Sequence, residues 1–178
     1  MGEKHFTDGS KYVGQFKNDV QQGQGVFTWK DGKKYTGQFT DNKFDGKGKT
    51  TWPDGKRSYE GGFKENKYHG KGIYKWSDGS KYVGTFIDDM VSGKGVKTWL
   101  DGSKYEGEFV KNKFNGKGTY TIAGGKTYSG NFKDNKAFGN GKLTFPDGRQ
   151  IAGNFKNNQF NGKAMYVLPD GAKYIGQI

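Results

Sequence analysis

Aromatic and glycine positions alternate with polar ones along nearly the whole chain, as in Tyr12-x-Gly14-x-Phe16 and Gly23-x-Gly25-x-Phe27-x-Trp29. A spacing of two puts all members of such a set on one face of an extended strand, whereas a helix needs a period of about 3.6. The pattern therefore predicts strands. The Asp-Gly pairs that interrupt it, such as Asp31-Gly32 and Asp101-Gly102, predict tight turns between them.

The same unit then returns along the chain. A Tyr-x-Gly-x-Phe motif begins at Tyr12, Tyr35, Tyr59, Tyr82, Tyr105 and Tyr128, is varied at Ile151-Ala152-Gly153-Asn154-Phe155, and restarts at Tyr174. Each is followed by a polar stretch, a Gly-x-Gly pair, and an apolar side chain four residues on: Trp29, Trp52, Trp76, Trp99, Ile122, Phe145 or Leu168. The chain is thus expected to be one array over 1–178: a half repeat at 1–11, repeats starting at 12, 35, 59, 82, 105, 128 and 151, and a partial repeat at 174–178.

A three-residue loop Asp31-Gly32-Lys33 would set Trp29 opposite Tyr35, Phe27 opposite Gly37 and Gly25 opposite Phe39. Across the other connection Phe16 would face Gly23 and Tyr12 would face Phe27. Rings then cover glycines. Glycine in a strand costs about 0.5–1 kcal/mol relative to alanine, and aromatic cross-strand pairs return about 0.2–1 kcal/mol each, so one hairpin alone is marginal. Stacked neighbours are needed. One step, Tyr35 to Tyr59, is a residue longer than the others. A bulge or wider turn is expected at Asp54-Gly55-Lys56-Arg57-Ser58, because an unabsorbed residue would turn every later ring to the wrong face. The predicted fold class is all-β: an elongated single-layer antiparallel sheet, a meander of tandem hairpins, twisted and grooved.

The unit Tyr105-Glu106-Gly107-Glu108-Phe109 followed by Asn112-Lys113-Phe114-Asn115-Gly116-Lys117-Gly118-Thr119-Tyr120 resembles the MORN repeat (membrane occupation and recognition nexus), and so does the rest of the chain. Departures are Ile151 for the leading Tyr, Ala164 for the second Gly, Ala123-Gly124-Gly125 for x-Asp-Gly, and Gln22 where other repeats have Asp, His or Asn. The resemblance implies an elongated antiparallel sheet that serves as a scaffold in ciliary, cytoskeletal and membrane-junction proteins. Protein binding and lipid binding are both attributed to the family.

Composition refines this picture. A net charge of +12 with few aliphatic residues would by itself predict disorder, but aromatics at 16% and 32 glycines supply a different kind of core. The chain has no cysteine, so disulfide frameworks and thiolate metal sites are excluded. No apolar run is long enough for a membrane helix or a signal core, and the expected location is the cytoplasm, in a cytoskeletal or ciliary assembly or at a membrane surface.

Two surfaces follow. The ring face carries Tyr12, Phe16, Trp29, Tyr35, Phe39, Trp52, Tyr59, Phe63, Trp76, Tyr82, Phe86, Trp99, Tyr105 and Phe109. Most of it must be core, and an exposed remainder would be a docking strip for a protein segment, for instance an amphipathic helix. The opposite face carries Lys11, Lys34, Lys81 and Lys104 before the tyrosines, and Lys47, Lys71, Lys94, Lys117 and Lys163 between the glycines. An alternative reading makes this a patch for anionic phospholipids. Nucleic acid is disfavoured, because rings and lysines are expected on opposite faces whereas single-strand binders mix them in one groove. Open strand edges suggest homo-oligomers or a larger assembly. No catalytic residue, metal site or cofactor is expected: His5 and His69 are the only histidines, and the acidic turn residues are spaced one per repeat.

Overall fold

The computed structural model describes residues 1–177, and these form only strands and their connections. The partial repeat expected at 174–178 ends on Ile178, which lies outside the described residues. Sixteen strands follow chain order through one open antiparallel sheet. The first eight are β1 (Gly2–His5), β2 (Lys11–Lys17), β3 (Val20–Thr28), β4 (Lys34–Thr40), β5 (Lys43–Thr51), β6 (Ser58–Lys64), β7 (Lys67–Lys75) and β8 (Lys81–Ile87). The rest are β9 (Met90–Thr98), β10 (Lys104–Val110), β11 (Lys113–Thr121), β12 (Thr127–Lys133), β13 (Lys136–Thr144), β14 (Gln150–Lys156), β15 (Gln159–Val167) and β16 (Lys173–Gln177). Contacts group them into two units, Met1–Met90 and Val91–Ile178, each built from the same hairpin.

Within a hairpin such as β2–β3 the two strands are joined by only two residues, Asn18 (φ 51°) and Asp19 (φ 64°). A turn with positive φ at both central residues matches the twist of the strands and favours Asn and Asp. Asp41-Asn42, Asp88-Asp89, Asp134-Asn135 and Asn157-Asn158 repeat it. The other connection closes one residue earlier than expected. Trp29 N–H donates to the Lys33 carbonyl (2.8 Å), Gly32 N–H donates to the Trp29 carbonyl (2.9 Å), and Gly32 sits at φ 87°, so the loop is Lys30-Asp31-Gly32.

That shift corrects the expected partners. Phe27 faces Tyr35, Gly25 faces Gly37, and Gly23 faces Phe39. Moving the loop by one residue slides the pairing by two, and a slip of two leaves every side chain on its own face. Across the short turn Tyr12 faces Phe27 as expected, but Phe16 faces Gln21 instead of Gly23. The cause is a bulge: Gln22, Gly23 and Gln24 together oppose Gln15, whose Oε1 accepts the Gln24 N–H at 2.7 Å. The longer step before Tyr59 is absorbed by a wider turn, with Thr51 facing Ser58 and Trp52 N–H donating to the Arg57 carbonyl. Asp54 Oδ1 accepts the N–H groups of both Lys56 (2.8 Å) and Arg57 (2.9 Å) and so holds the extra residue.

The core is a row of tyrosines over glycine pairs. Tyr12, Tyr35, Tyr59, Tyr82 and Tyr105 are all 0% exposed. Tyr59 shows why. Gly61 faces Gly72 on the next strand, and a Cβ placed on Gly72 would lie 2.6 Å from both Cε2 and the hydroxyl of Tyr59. The ring needs bare backbone beneath it. Its hydroxyl then reaches past the glycines to donate to the Gly62 carbonyl at 2.7 Å, as Tyr12 does to Gln15 (2.8 Å) and Tyr35 to Gln38 (2.7 Å). The last repeat tests the rule: where Ile151 replaces the tyrosine, Ala164 replaces the glycine that faces Gly153. With no ring above it, a methyl group fits.

Candidate functional site

The expected ring face separates into two layers. Tyr12, Tyr35, Phe39, Tyr59, Phe63, Tyr82, Phe86, Tyr105 and Phe109 are buried and belong to the core. Phe16, Trp29, Trp52, Trp76 and Trp99 are half-buried. Above the core lie further half-buried rings that were not singled out as site residues: Phe27, Phe44, Tyr68, Tyr74, Phe114 and Tyr120. Phe44 stacks on Tyr35 with centroids 4.0 Å apart, Tyr68 on Tyr59 at 3.8 Å, and Phe114 on Tyr105 at 3.8 Å. Each is the second residue after a short turn and shares the parity of the two glycines that follow it, as Phe44 does with Gly46 and Gly48, which puts it on the ring face.

Each unit has a groove in this surface. In the first, a cleft of about 490 Å³ is floored by Phe27, Trp29, Phe44, Phe63 and Tyr68 and edged by Gln21, Asn42, Asn66, Lys33 and Asp89. In the second, about 610 Å³ lies between Tyr120, Tyr128, Phe132, Phe155 and Phe160, with Ile122, Leu143, Lys126, Asn158 and Gln159 at its edges.

The asparagines at these edges are structural as well. Asn42 N–H donates to the Gln21 carbonyl, and Asn42 Oδ1 accepts the Gln21 N–H at 2.9 Å, which staples one turn to the previous repeat. Asn66 does the same to Phe44 (2.8 Å), Asn112 to Val91 (2.8 Å), Asn135 to Phe114 (2.8 Å) and Asn158 to Ala137 (2.7 Å). Asp89 serves Tyr68 in the same way at 2.8 Å. Since Oδ1 is committed to the backbone, the amide NH₂ of each asparagine is the group left to face a ligand.

Cations also stand on the ring face, which departs from the expected separation. Lys33 Nζ lies 4.6 Å from the Trp29 ring and 4.9 Å from the Trp52 ring. In the second unit Lys126 Nζ is 4.9 Å from the Phe145 ring. Arg57 and Arg149 stack on Trp52 and Phe145 and pair with Asp54 (2.7 Å) and Asp147 (2.6 Å). Burial lowers the pKa of the Lys33 ammonium, with the nearby Asp31 carboxylate opposing the shift. The corresponding residue is Ser10, Ser80 or Ser103 in other repeats, each hydrogen-bonded to its turn aspartate through the side chain or backbone. The premise that set nucleic acid aside therefore weakens, although the arginines are neutralised by their aspartates.

The register places Lys11, Lys34, Lys81 and Lys104, and Lys47, Lys71, Lys94, Lys117 and Lys163, on the other face. Lys11 pairs with Glu3 (3.2 Å) and Lys104 with Glu106 (3.1 Å). Lys47, Lys71, Lys94, Lys117 and Lys163 are exposed. Among the described residues no group of three His, Cys, Asp or Glu side chains could hold a metal, and no helix is long and apolar enough to cross a membrane. His69 Nδ1 lies 3.6 Å from Asp88 Oδ1, too long for a hydrogen bond and close enough only for electrostatic attraction.

Comparison with solved structures gives the TCP domain of SAS-4 from Drosophila melanogaster, solved in complex with a proline-rich motif of Ana2. The TM-score is 0.56 at 12% identity, covering 86% of this chain and 83% of that one. The TCP10 domain of Danio rerio CPAP, solved with a peptide of STIL, is matched at 16% identity and TM-score 0.34 over 99% of this chain and 97% of that one. No curated protein matches the chain by sequence. The model of the MORN repeat matches residues 12–34, 35–57, 59–81, 82–104, 105–127, 128–148 and 152–173, in step with the hairpins described above. The chain therefore belongs to the MORN-repeat family.

Proposed function

We propose that this chain is a non-enzymatic scaffold whose ring face binds a segment of another protein, within a cytoplasmic cytoskeletal, ciliary or membrane-associated assembly. The observation that carries this reading is the second layer of rings. Phe44 and Tyr68 cover the core tyrosines Tyr35 and Tyr59 with one face, and together with Trp29 and Trp52 they stay half-exposed and present aromatic surface to the groove. Aromatic side chains held rigid in a groove are what protein interfaces use as anchors. The Drosophila sheet of similar fold holds a peptide motif, which is consistent with this use of the architecture. The test replaces Trp29 and Trp52 by Ala and measures capture of partners from a native lysate beside the melting temperature. Selective loss of capture with an unchanged melt supports the proposal; loss of both together means that the tryptophans serve stability alone.

The opposite face supports a second reading, attachment to anionic phospholipid. It rests on Lys47, Lys71, Lys94, Lys117 and Lys163, which recur at the repeat period and are all exposed. Lys47 and Lys71 in the first unit, and Lys94 and Lys117 in the second, lie two strands apart, about 10 Å, close to the Debye length at physiological salt, so a charged surface could engage both members of a pair at once. Vesicles containing phosphatidylserine should float with the protein at low salt and release it at high salt. Failure to float at low salt removes this reading.

A further inference from the structure

We infer that the groove of the first unit takes an extended, acidic, proline-rich segment in the polyproline-II conformation, a deepening that rests on the protein-segment reading above. Three features of the groove point to this occupant rather than to an amphipathic helix.

The first is its donors. Asn42 and Asn66 stand one repeat apart at the edge, each with its Oδ1 bound to backbone and its NH₂ free for a ligand. A helix satisfies its own carbonyls and has nothing to offer such donors, whereas polyproline II has no internal hydrogen bonds and leaves its carbonyls outward. The second is spacing. Equivalent side chains of neighbouring repeats are two strands apart, about 9.6 Å, and a polyproline-II segment repeats each face every three residues, about 9.3 Å. A segment laid across the strands thus brings every third residue over a new set of rings, and flat proline rings can lie against the aromatic surface of Phe27, Trp29, Phe44 and Tyr68. The third is charge. Asp31 and Asp89 both attract the Lys33 ammonium, but among the described residues neither forms an ion pair with it, so it stays over Trp29 and Trp52 open to a carboxylate of a ligand. On a chain of net charge +12 it matches a carboxylate beside the prolines.

The chain itself supplies variants that should keep the fold. Asp89 makes the staple without an NH₂ group, so Asn42→Asp with Asn66→Asp keeps the staple while it removes the donors and adds two carboxylates, which is why its effect is read on the neutral proline decamer. Serine stands at the Lys33 position in three other repeats, so Lys33→Ser keeps the turn while it removes the ammonium and its stem. The probes are fluorescein-labelled peptides measured by anisotropy on the full chain: (Pro-Pro-Glu)₄, (Pro-Pro-Lys)₄, a neutral proline decamer, and a glutamate-bearing amphipathic helix of equal length. We expect (Pro-Pro-Glu)₄ to bind tightest. The asparagine double variant should weaken the neutral proline decamer about tenfold, as expected for lost hydrogen bonds. Lys33→Ser should abolish the preference for Glu over Lys. If the helix binds as well as (Pro-Pro-Glu)₄, or the asparagine variant binds the decamer unchanged, the inference fails. If the helix alone binds, and loses affinity in the Trp29→Ala, Trp52→Ala variant, the parent reading stands without it. If no probe binds, the inference is overturned, and lysate capture decides the parent reading separately.

Discussion

Substituting Gly72 by alanine is the sharpest perturbation of the tyrosine row. The added methyl would lie 2.6 Å from Cε2 and from the hydroxyl of Tyr59, a ring that is 0% exposed and cannot retreat into solvent without leaving the core. Overpacking of this kind costs about 1–3 kcal/mol. Displacing the ring also breaks the hydroxyl bond to the Gly62 carbonyl, worth about 1 kcal/mol, and disturbs the stack on Tyr68, worth about 1 kcal/mol. Against this, alanine restricts the unfolded chain and returns about 0.5–1 kcal/mol. The expected net loss is about 3 kcal/mol. The natural Ile151 and Ala164 pair suggests the cure. In Tyr59→Ile with Gly72→Ala, the methyl occupies space the ring has vacated, so the double variant should be no less stable than Tyr59→Ile alone. The coupling free energy would then be about 3 kcal/mol, near the upper end for residues in contact. Urea unfolding followed by far-UV circular dichroism and by tryptophan fluorescence measures all four corners of the cycle. A Gly72→Ala loss below about 0.5 kcal/mol, the range of an ordinary surface substitution, or additive losses in the double variant, would refute the ring-over-glycine account.

Burial raises the pKa of Tyr35, Tyr59 and Tyr105 above the ordinary tyrosine value and pushes Tyr82 up to about 12. The folded state therefore holds these protons more tightly, and its stability is intact below pH 10 and falls as the pH rises towards 12 and beyond; absorbance at 295 nm should show the buried tyrosines ionising only as the far-UV signal is lost. Asp54, held down to about 2 by the backbone N–H and guanidinium of Arg57, works in the opposite sense. Its contribution is present above the usual aspartate range and lost as pH falls through 2, so Asp54→Asn should flatten the acid limb of a stability-against-pH curve. Asn66→Gly keeps the positive φ of the turn but removes the staple to Phe44, and should cost about 1 kcal/mol in urea unfolding.

Face assignment was legible in the sequence because it depends only on parity. The spacing of Tyr12, Gly14 and Phe16 survives any slip of two residues, which is why the rings fell on one side even though Phe27 proved to face Tyr35 and not Gly37. Partner identity depends on where a turn closes, and Asp-Gly marks a turn without saying whether Lys30 or Asp31 begins it. The bulge was harder still, since Gly23 looks like an ordinary strand glycine and its φ of 75° has no signature in the spacing. The site was legible only in part. The tryptophans are visible in the pattern; Phe44 and Tyr68 share the parity of the glycine pairs after them and are legible by the same rule, and Lys33, expected in a loop, has the parity of Tyr35. The exchange of serine for lysine or arginine two residues before the leading residue of the repeat, at Lys33, Arg57, Lys126 and Arg149, was the available signal.

The asparagine staples give the array a direction. Asn158 reaches back to Ala137 and Asn135 back to Phe114, always from a later repeat to an earlier one. Trimming the array from its front leaves an amide side chain and the main-chain N–H of an exposed turn asparagine to water, which is harmless. Trimming from its rear strips a main-chain N–H of the group that capped it, at a position such as Ala137 that is buried. Deletions of equal length from the two ends should therefore be unequal in consequence, with the rear the more fragile.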